Sequence, residues 1–168
     1  MRAVTAWALL LALAAATPAF AQTPAHDTDH AYQLLGGWAC ESDAHSRALW
    51  TFTRNADGAI ALKNEYRTPV GAFGEFDETY RFDATTNRWK WAASDPNDSH
   101  IHDDGVAGPW TAQDWIFEGT MDAEGRGGKR DLRMVFHRHS DSTYEREMQV
   151  RRGGGWSTIS SSACKRVS

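Results

Sequence analysis

The triplet Tyr144-Glu145-Arg146 carries the densest chemistry in the sequence. Residues two apart on a strand project to the same side, so the Tyr144 phenol and the Arg146 guanidinium stand together and can hold a carboxylate by two or three charge-assisted hydrogen bonds. A second group lies in the alternating run Phe76, Glu78, Tyr80 and Phe82, which sets a carboxylate on an aromatic face. Extending the aromatic-rich face to the other alternating segments places Asn64, Tyr66, Tyr80 and Arg138 with them, and Trp50, Phe117, Phe136 and Met148 as the apolar surface. An inward charge is expensive unless it is paired or used. Glu78 therefore reads either as a structural partner of Arg146 or Arg138, or as an interior carboxylate available for acid–base work.

The remaining reactive residue types give less. His100-x-His102, followed by Asp103 and Asp104, has ligand types suited to a transition metal, and His137-x-His139 puts two imidazoles on one strand face. His137 and His139 stand opposite Phe136 in the alternation, so solvent-exposed histidines are the expectation and no metal site is assigned. Cupins use a His-x-His strand motif with a downstream Glu, for which Glu145 is loosely placed, but the Gly-bearing flank and the second cupin motif are missing. No Gly-x-Ser-x-Gly elbow is present, and the serines over 157–162 have no base nearby, so nucleophilic catalysis has little support. They read as a solvated face with small interior residues. No cofactor is expected.

These side chains need a scaffold, and its compartment comes first. Residues 1–21 read as a secretory signal peptide: Arg2 is the positive start, an apolar run from Trp7 follows that is too short to span a bilayer, and Ala19-Phe20-Ala21 is a small-x-small cleavage site. The expectation is a periplasmic or secreted protein cleaved after Ala21, with no membrane span. The whole chain has 18 Lys+Arg and 22 Asp+Glu; without Arg2 the balance is 17 − 22 = −5. Nucleic-acid binding needs clustered positive charge, so no such partner is expected.

Residues 22–35 form an N-terminal extension with one short helix, started by Asp27 or Thr28 and stopped by Gly36-Gly37. From residue 36 to 168 the pattern is alternating: Trp50 and Phe52 against Thr51 and Thr53, Ile60, Leu62, Asn64 and Tyr66 against Ala61, Lys63 and Glu65, and so on through Trp115 and Phe117, Leu132 to Arg138, and Tyr144 to Val150. Residues 92–109 are polar and rich in turn formers and read as a long loop with room for one short strand. The last strand is expected over 156–163. The outcome is all-β, with about eight to ten short strands joined by hairpin-length connections. Parallel sheets need crossovers that this chain lacks, which leaves a sandwich or a closed up-and-down barrel.

Two cysteines choose between them. An even count in an exported chain favours a disulfide, and joining Cys40 to Cys164 brings the first and last strands together. A meander whose ends are covalent neighbours is an antiparallel closed barrel.

The helix running into Leu35-Gly36-Gly37-Trp38, the hairpin series and the terminal Cys164-Lys165-Arg166 resemble the calycin type of barrel, which includes lipocalins and fatty-acid-binding proteins, and also small exported bacterial lipocalin-like domains of unknown function. The resemblance implies that Trp38 packs at the closed end of the barrel near a late Arg, for which Arg166 is available. Fatty-acid-binding proteins hold a carboxylate with an Arg-x-Tyr pair; Tyr144 and Arg146 have the reverse order and the same geometry. The Gly-rich haem-pocket motif of nitrobindin-like barrels is absent.

The functional expectation is a barrel holding a small hydrophobic or amphipathic, partly apolar and anionic ligand, oriented by Arg146, Tyr144, Arg138, Glu78, Tyr80, Tyr66 and Asn64 against Trp50. Binding is favoured over catalysis. The alternatives are an enzyme using Glu78, or an envelope protein whose barrel is filled by the seven tryptophans that remain after Trp7. The sequence does not specify the oligomeric state.

Overall fold

The computed structural model describes residues 28–43, 45–71, 73–95, 98–107, 113–123 and 128–167. The expected leader, most of the N-terminal extension and Trp110 lie outside the described residues.

A helix over Thr28–Ala31 (α1) and a 3-10 turn over Tyr32–Leu34 lead into ten strands: β1 Gly36–Ser42, β2 Arg47–Arg54, β3 Ile60–Arg67, β4 Phe73–Asp83, β5 Arg88–Asp95, β6 Asp98–Ala107, β7 Asp114–Ala123, β8 Arg130–Ser140, β9 Thr143–Arg152 and β10 Gly155–Arg166. Each strand pairs antiparallel with its neighbours in sequence, and β10 pairs with β1, so the sheet is a closed up-and-down barrel. The Cys40–Cys164 disulfide sits where the ring closes, between residues directly opposite in the register. The expected all-β closed barrel and the expected disulfide are both present.

Two expectations change. Residues 92–109 are not a loop: β5 runs on to Asp95, and β6 occupies Asp98–Ala107. The inward positions of β6 include Asp103, Gly105 and Ala107, so no apolar period marks it. Gly105 faces Gly119 of β7, and a Cβ on Gly119 would lie 1.8 Å from the Asp104 carbonyl oxygen, so the strands can approach only with glycine there. The last strand is also longer than 156–163. A bulge between Thr158 and Ser160 interrupts its period and turns Ser160, Ser162 and Cys164 to one side.

Up-and-down topology puts alternate hairpins at opposite ends. One end gathers the β2–β3, β4–β5 and β8–β9 turns and is closed by the 3-10 turn, with Leu34 and Trp38 buried. Trp38 Nε1 donates to the Leu34 carbonyl at 2.7 Å, and the Arg166 guanidinium lies 4.2 Å from the Trp38 ring centroid while donating to the carbonyls of Gln33, Leu35 and Asp141. The adjoining half of the interior is packed with rings: Trp89 meets Trp115 at 5.4 Å, Trp115 meets Phe117 at 4.5 Å, and Tyr80 touches Trp115, Phe117 and Phe136 at 5.6 to 6.0 Å. Offset and edge-on contacts of this kind add to the burial of large apolar surfaces.

Outward positions carry charge instead. Arg133 meets Glu118, Arg81 meets Asp57 and Lys90 meets Asp83, each at 2.7 Å. This is a water-facing wall, unlike the apolar band that a lipid-facing strand presents. Among the described residues no helix is long and apolar enough to cross a membrane.

Candidate functional site: a cavity at the open end of the barrel

The ring packing stops at Tyr80. Beyond it, toward the end formed by the β1–β2, β3–β4 and β9–β10 hairpins, the interior opens into a cavity of about 420 Å³. Its apolar lining comes from Trp50, Tyr66, Phe76, Met121 and Met148, and Ser42, Ser46, Ser160 and Ser162 also line it. Asn64, Glu78, Asp103 and Arg146 complete the polar lining. Pockets of this size and mixed character are where small molecules are held.

Local sequence explains how these groups are placed. Asn64 and Tyr66 continue the inward face of β3 after Ile60 and Leu62. Tyr66 lies directly across from Gly74 of β4, and a Cβ on Gly74 would fall 2.2 Å from the Tyr66 ring, so the phenol lies over its partner strand only because that residue is glycine. Ser160 and Ser162 share the face of Cys164, whose disulfide partner Cys40 also lines the cavity.

At the floor lies a buried polar knot. Arg146 Nη1 stands 2.7 Å from Glu78 Oε1; both residues are at most 5% exposed. Glu78 Oε2 accepts from the Tyr80 hydroxyl at 2.5 Å and from Trp91 Nε1 at 2.9 Å. Arg146 Nε points at Met134 Sδ, and its guanidinium lies 5.0 Å from the Trp50 ring centroid. Glu78 Oε2 thus holds two hydrogen bonds while Oε1 faces the guanidinium, which makes Glu78 the counter-ion to Arg146. Burial works against the Arg146 charge, but Glu78, with Tyr80 and Tyr144, outweighs it and holds its pKa above the ordinary guanidinium value. Burial pushes the Tyr80 phenol well up, and the Glu78 charge adds to the effect.

Polar atoms in this lining that are buried without a hydrogen-bond partner among the described residues include Arg146 Nη2, Trp50 Nε1 and Asn64 Oδ1; Glu78 Oε1 also lacks one and faces the Arg146 charge at 2.7 Å. Leaving such groups unsatisfied costs about 1 to 3 kcal/mol each.

The sequence-derived residues therefore divide. Arg146, Glu78, Tyr66, Asn64 and Trp50 meet at the cavity, and Tyr80 forms its floor through Glu78. Tyr144 and Arg138 share the inward face but lie nearer the closed end, where with Arg166 and Trp38 they line a separate space of about 220 Å³. Tyr144 packs edge-on against Trp38 at 4.7 Å, and Arg138 is paired with Asp141. Burial pushes the Tyr144 phenol well up, with Arg146 opposing. Tyr144 and Arg146 thus line different spaces. Trp89 is core, and Phe117 and Phe136 belong to the ring packing.

Asp103, Met121, Trp91 and the four serines were missed. Ser160 and Ser162 could have been found by counting back in twos from Cys164; Asp103 and Met121 belong to strands whose inward faces alternate poorly. His137 and His139 face outward, with His137 Nδ1 2.7 Å from Asp114 Oδ1 and His139 Nε2 3.8 Å from Glu145 Oε2. The side chains of His100 and His102 lie outside the described residues. Among the described residues no group of three or more His, Cys, Asp or Glu is placed to hold a metal ion.

No protein-family model matches the chain, and no curated protein sequence matches it.

Proposed function

We propose that this is an exported, calycin-like barrel that binds one small, partly apolar molecule in the open-end cavity. The carrying observation is the cavity itself: about 420 Å³ of interior lined by apolar side chains, serines and donors without a hydrogen-bond partner among the described residues. A barrel with a purely structural role gains nothing from that space, since filling it with side chains removes the unsatisfied groups. The charged outer wall, the disulfide and the signal-peptide-like residues 1–21 support a periplasmic or secreted location.

The test is titration with the neutral dye phenylnaphthylamine, whose fluorescence rises in apolar surroundings. One-to-one saturable binding is expected, and it should disappear in Ala48→Trp, which fills the cavity, with the far-ultraviolet circular dichroism unchanged. Absence of dye binding to the native barrel, or undiminished binding by Ala48→Trp, overturns the reading.

A further inference from the structure

The Arg146 charge is already balanced before any ligand arrives. Arg146 is the obvious anchor for a carboxylate, yet Glu78 stands 2.7 Å from it and takes its charge. A second carboxylic side chain, Asp103, 5% exposed, lines the same space. An incoming carboxylate would lose its water and meet the Glu78 carboxylate, with Arg146 already engaged. The same floor still offers two hydrogen-bond donors, Arg146 Nη2 and Trp50 Nε1, that have no acceptor among the described residues. They belong to side chains in contact, since the guanidinium lies 5.0 Å from the Trp50 ring centroid. Asn64 Oδ1 adds one acceptor without a donor.

Resting on the proposed binding function, the geometry points to a specificity: the cavity takes uncharged amphipathic molecules whose inner end is a carbonyl-type acceptor, as in an amide, ester or quinone, and discriminates against carboxylates. The carbonyl oxygen receives the free Nη2 and Nε1 hydrogens, and an amide N–H adjacent to it meets Asn64 Oδ1. The body of the ligand lies against Met121, Met148, Ser160 and Ser162. Discrimination arises because a carbonyl satisfies the donors without adding charge to the Glu78–Arg146 pair, whereas a carboxylate must compete with Glu78 for Arg146.

The test uses displacement of bound phenylnaphthylamine at neutral pH by four probes with one ring system: naphthalene carboxamide, naphthoate, naphthylmethylamine and methylnaphthalene. The carboxamide is expected to bind about tenfold more tightly than the naphthoate, the size of one buried hydrogen bond. In Trp50→Phe, which keeps an aromatic ring and removes one donor, the carboxamide should weaken several-fold more than methylnaphthalene does. Equal affinity for amide and acid, preference for the acid or the amine, or equal losses for carboxamide and methylnaphthalene in Trp50→Phe overturn the specificity. Tight binding of methylnaphthalene with no gain from the amide also overturns it, while leaving the cavity reading intact. Failure of the dye and of all four probes to bind removes both.

Discussion

Arg146 and Glu78 face each other across the inside of the barrel at 2.7 Å, from β9 and β4, and each is nearly sealed from water. The pair divides the interior: ring packing lies on one side of it and open space on the other. A buried charge is tolerable only while its partner is present.

Removing one partner should therefore be severe. Glu78→Gln keeps an acceptor for Tyr80 and Trp91 but strips the charge facing Arg146, and should cost about 3 to 5 kcal/mol in urea unfolding. Adding Arg146→Met should recover much of that loss, because no charge is then left alone. A double variant as unstable as the sum of its single variants would show that the two side chains are not coupled.

The Cys40–Cys164 bond closes a span of 124 residues. Replacing both cysteines with serine should remove about 2 to 5 kcal/mol by releasing constraint on the unfolded chain. The loss should appear as a lower denaturant midpoint for the variant, equal to that of the reduced native protein. Unchanged midpoints in both would mean that the bond does not hold the first and last strands together.

Tyr80 and Tyr144 have phenols held well above their ordinary value of 10.0, mainly by burial. Below pH 10.0 neither state of the chain ionises them and the stability is complete; above it the unfolded chain releases protons that the folded barrel retains, so stability falls as pH rises. In an alkaline titration their tyrosinate absorbance should appear only with unfolding, and a Tyr80→Phe/Tyr144→Phe variant should lack that late step. Reversible ionisation of both while circular dichroism stays native would contradict their burial.

Much of this fold was legible because hydrophobic alternation reports which side a residue faces. Trp50 with Phe52, Ile60 with Leu62, and Tyr80 with Phe82 announce their strands, and Cys40 with Cys164 announce closure. Alternation does not report height along the barrel. Successive inward residues are about 6.6 Å apart, so Tyr144 and Arg138 share the face of Arg146 and yet reach a different space. Strand β6 was hidden because Asp103, Gly105 and Ala107 give no apolar period, and β10 because its bulge shifts the count. The ion pair itself was half visible: an inward Glu78 needed a cation, but only the barrel's closure selects Arg146 over Arg138.

The central claim is that the space beyond the Glu78–Arg146 pair receives a small molecule. Met121 and Met148 line that space and Met134 lies behind the pair, against Arg146 Nε. Methyl-labelled methionine NMR during titration with phenylnaphthylamine tests this most directly. The account predicts saturable shifts and dye-to-methyl contacts at Met121 and Met148, with none to Met134. Dye contacts to neither Met121 nor Met148, or to Met134 alone, would contradict it.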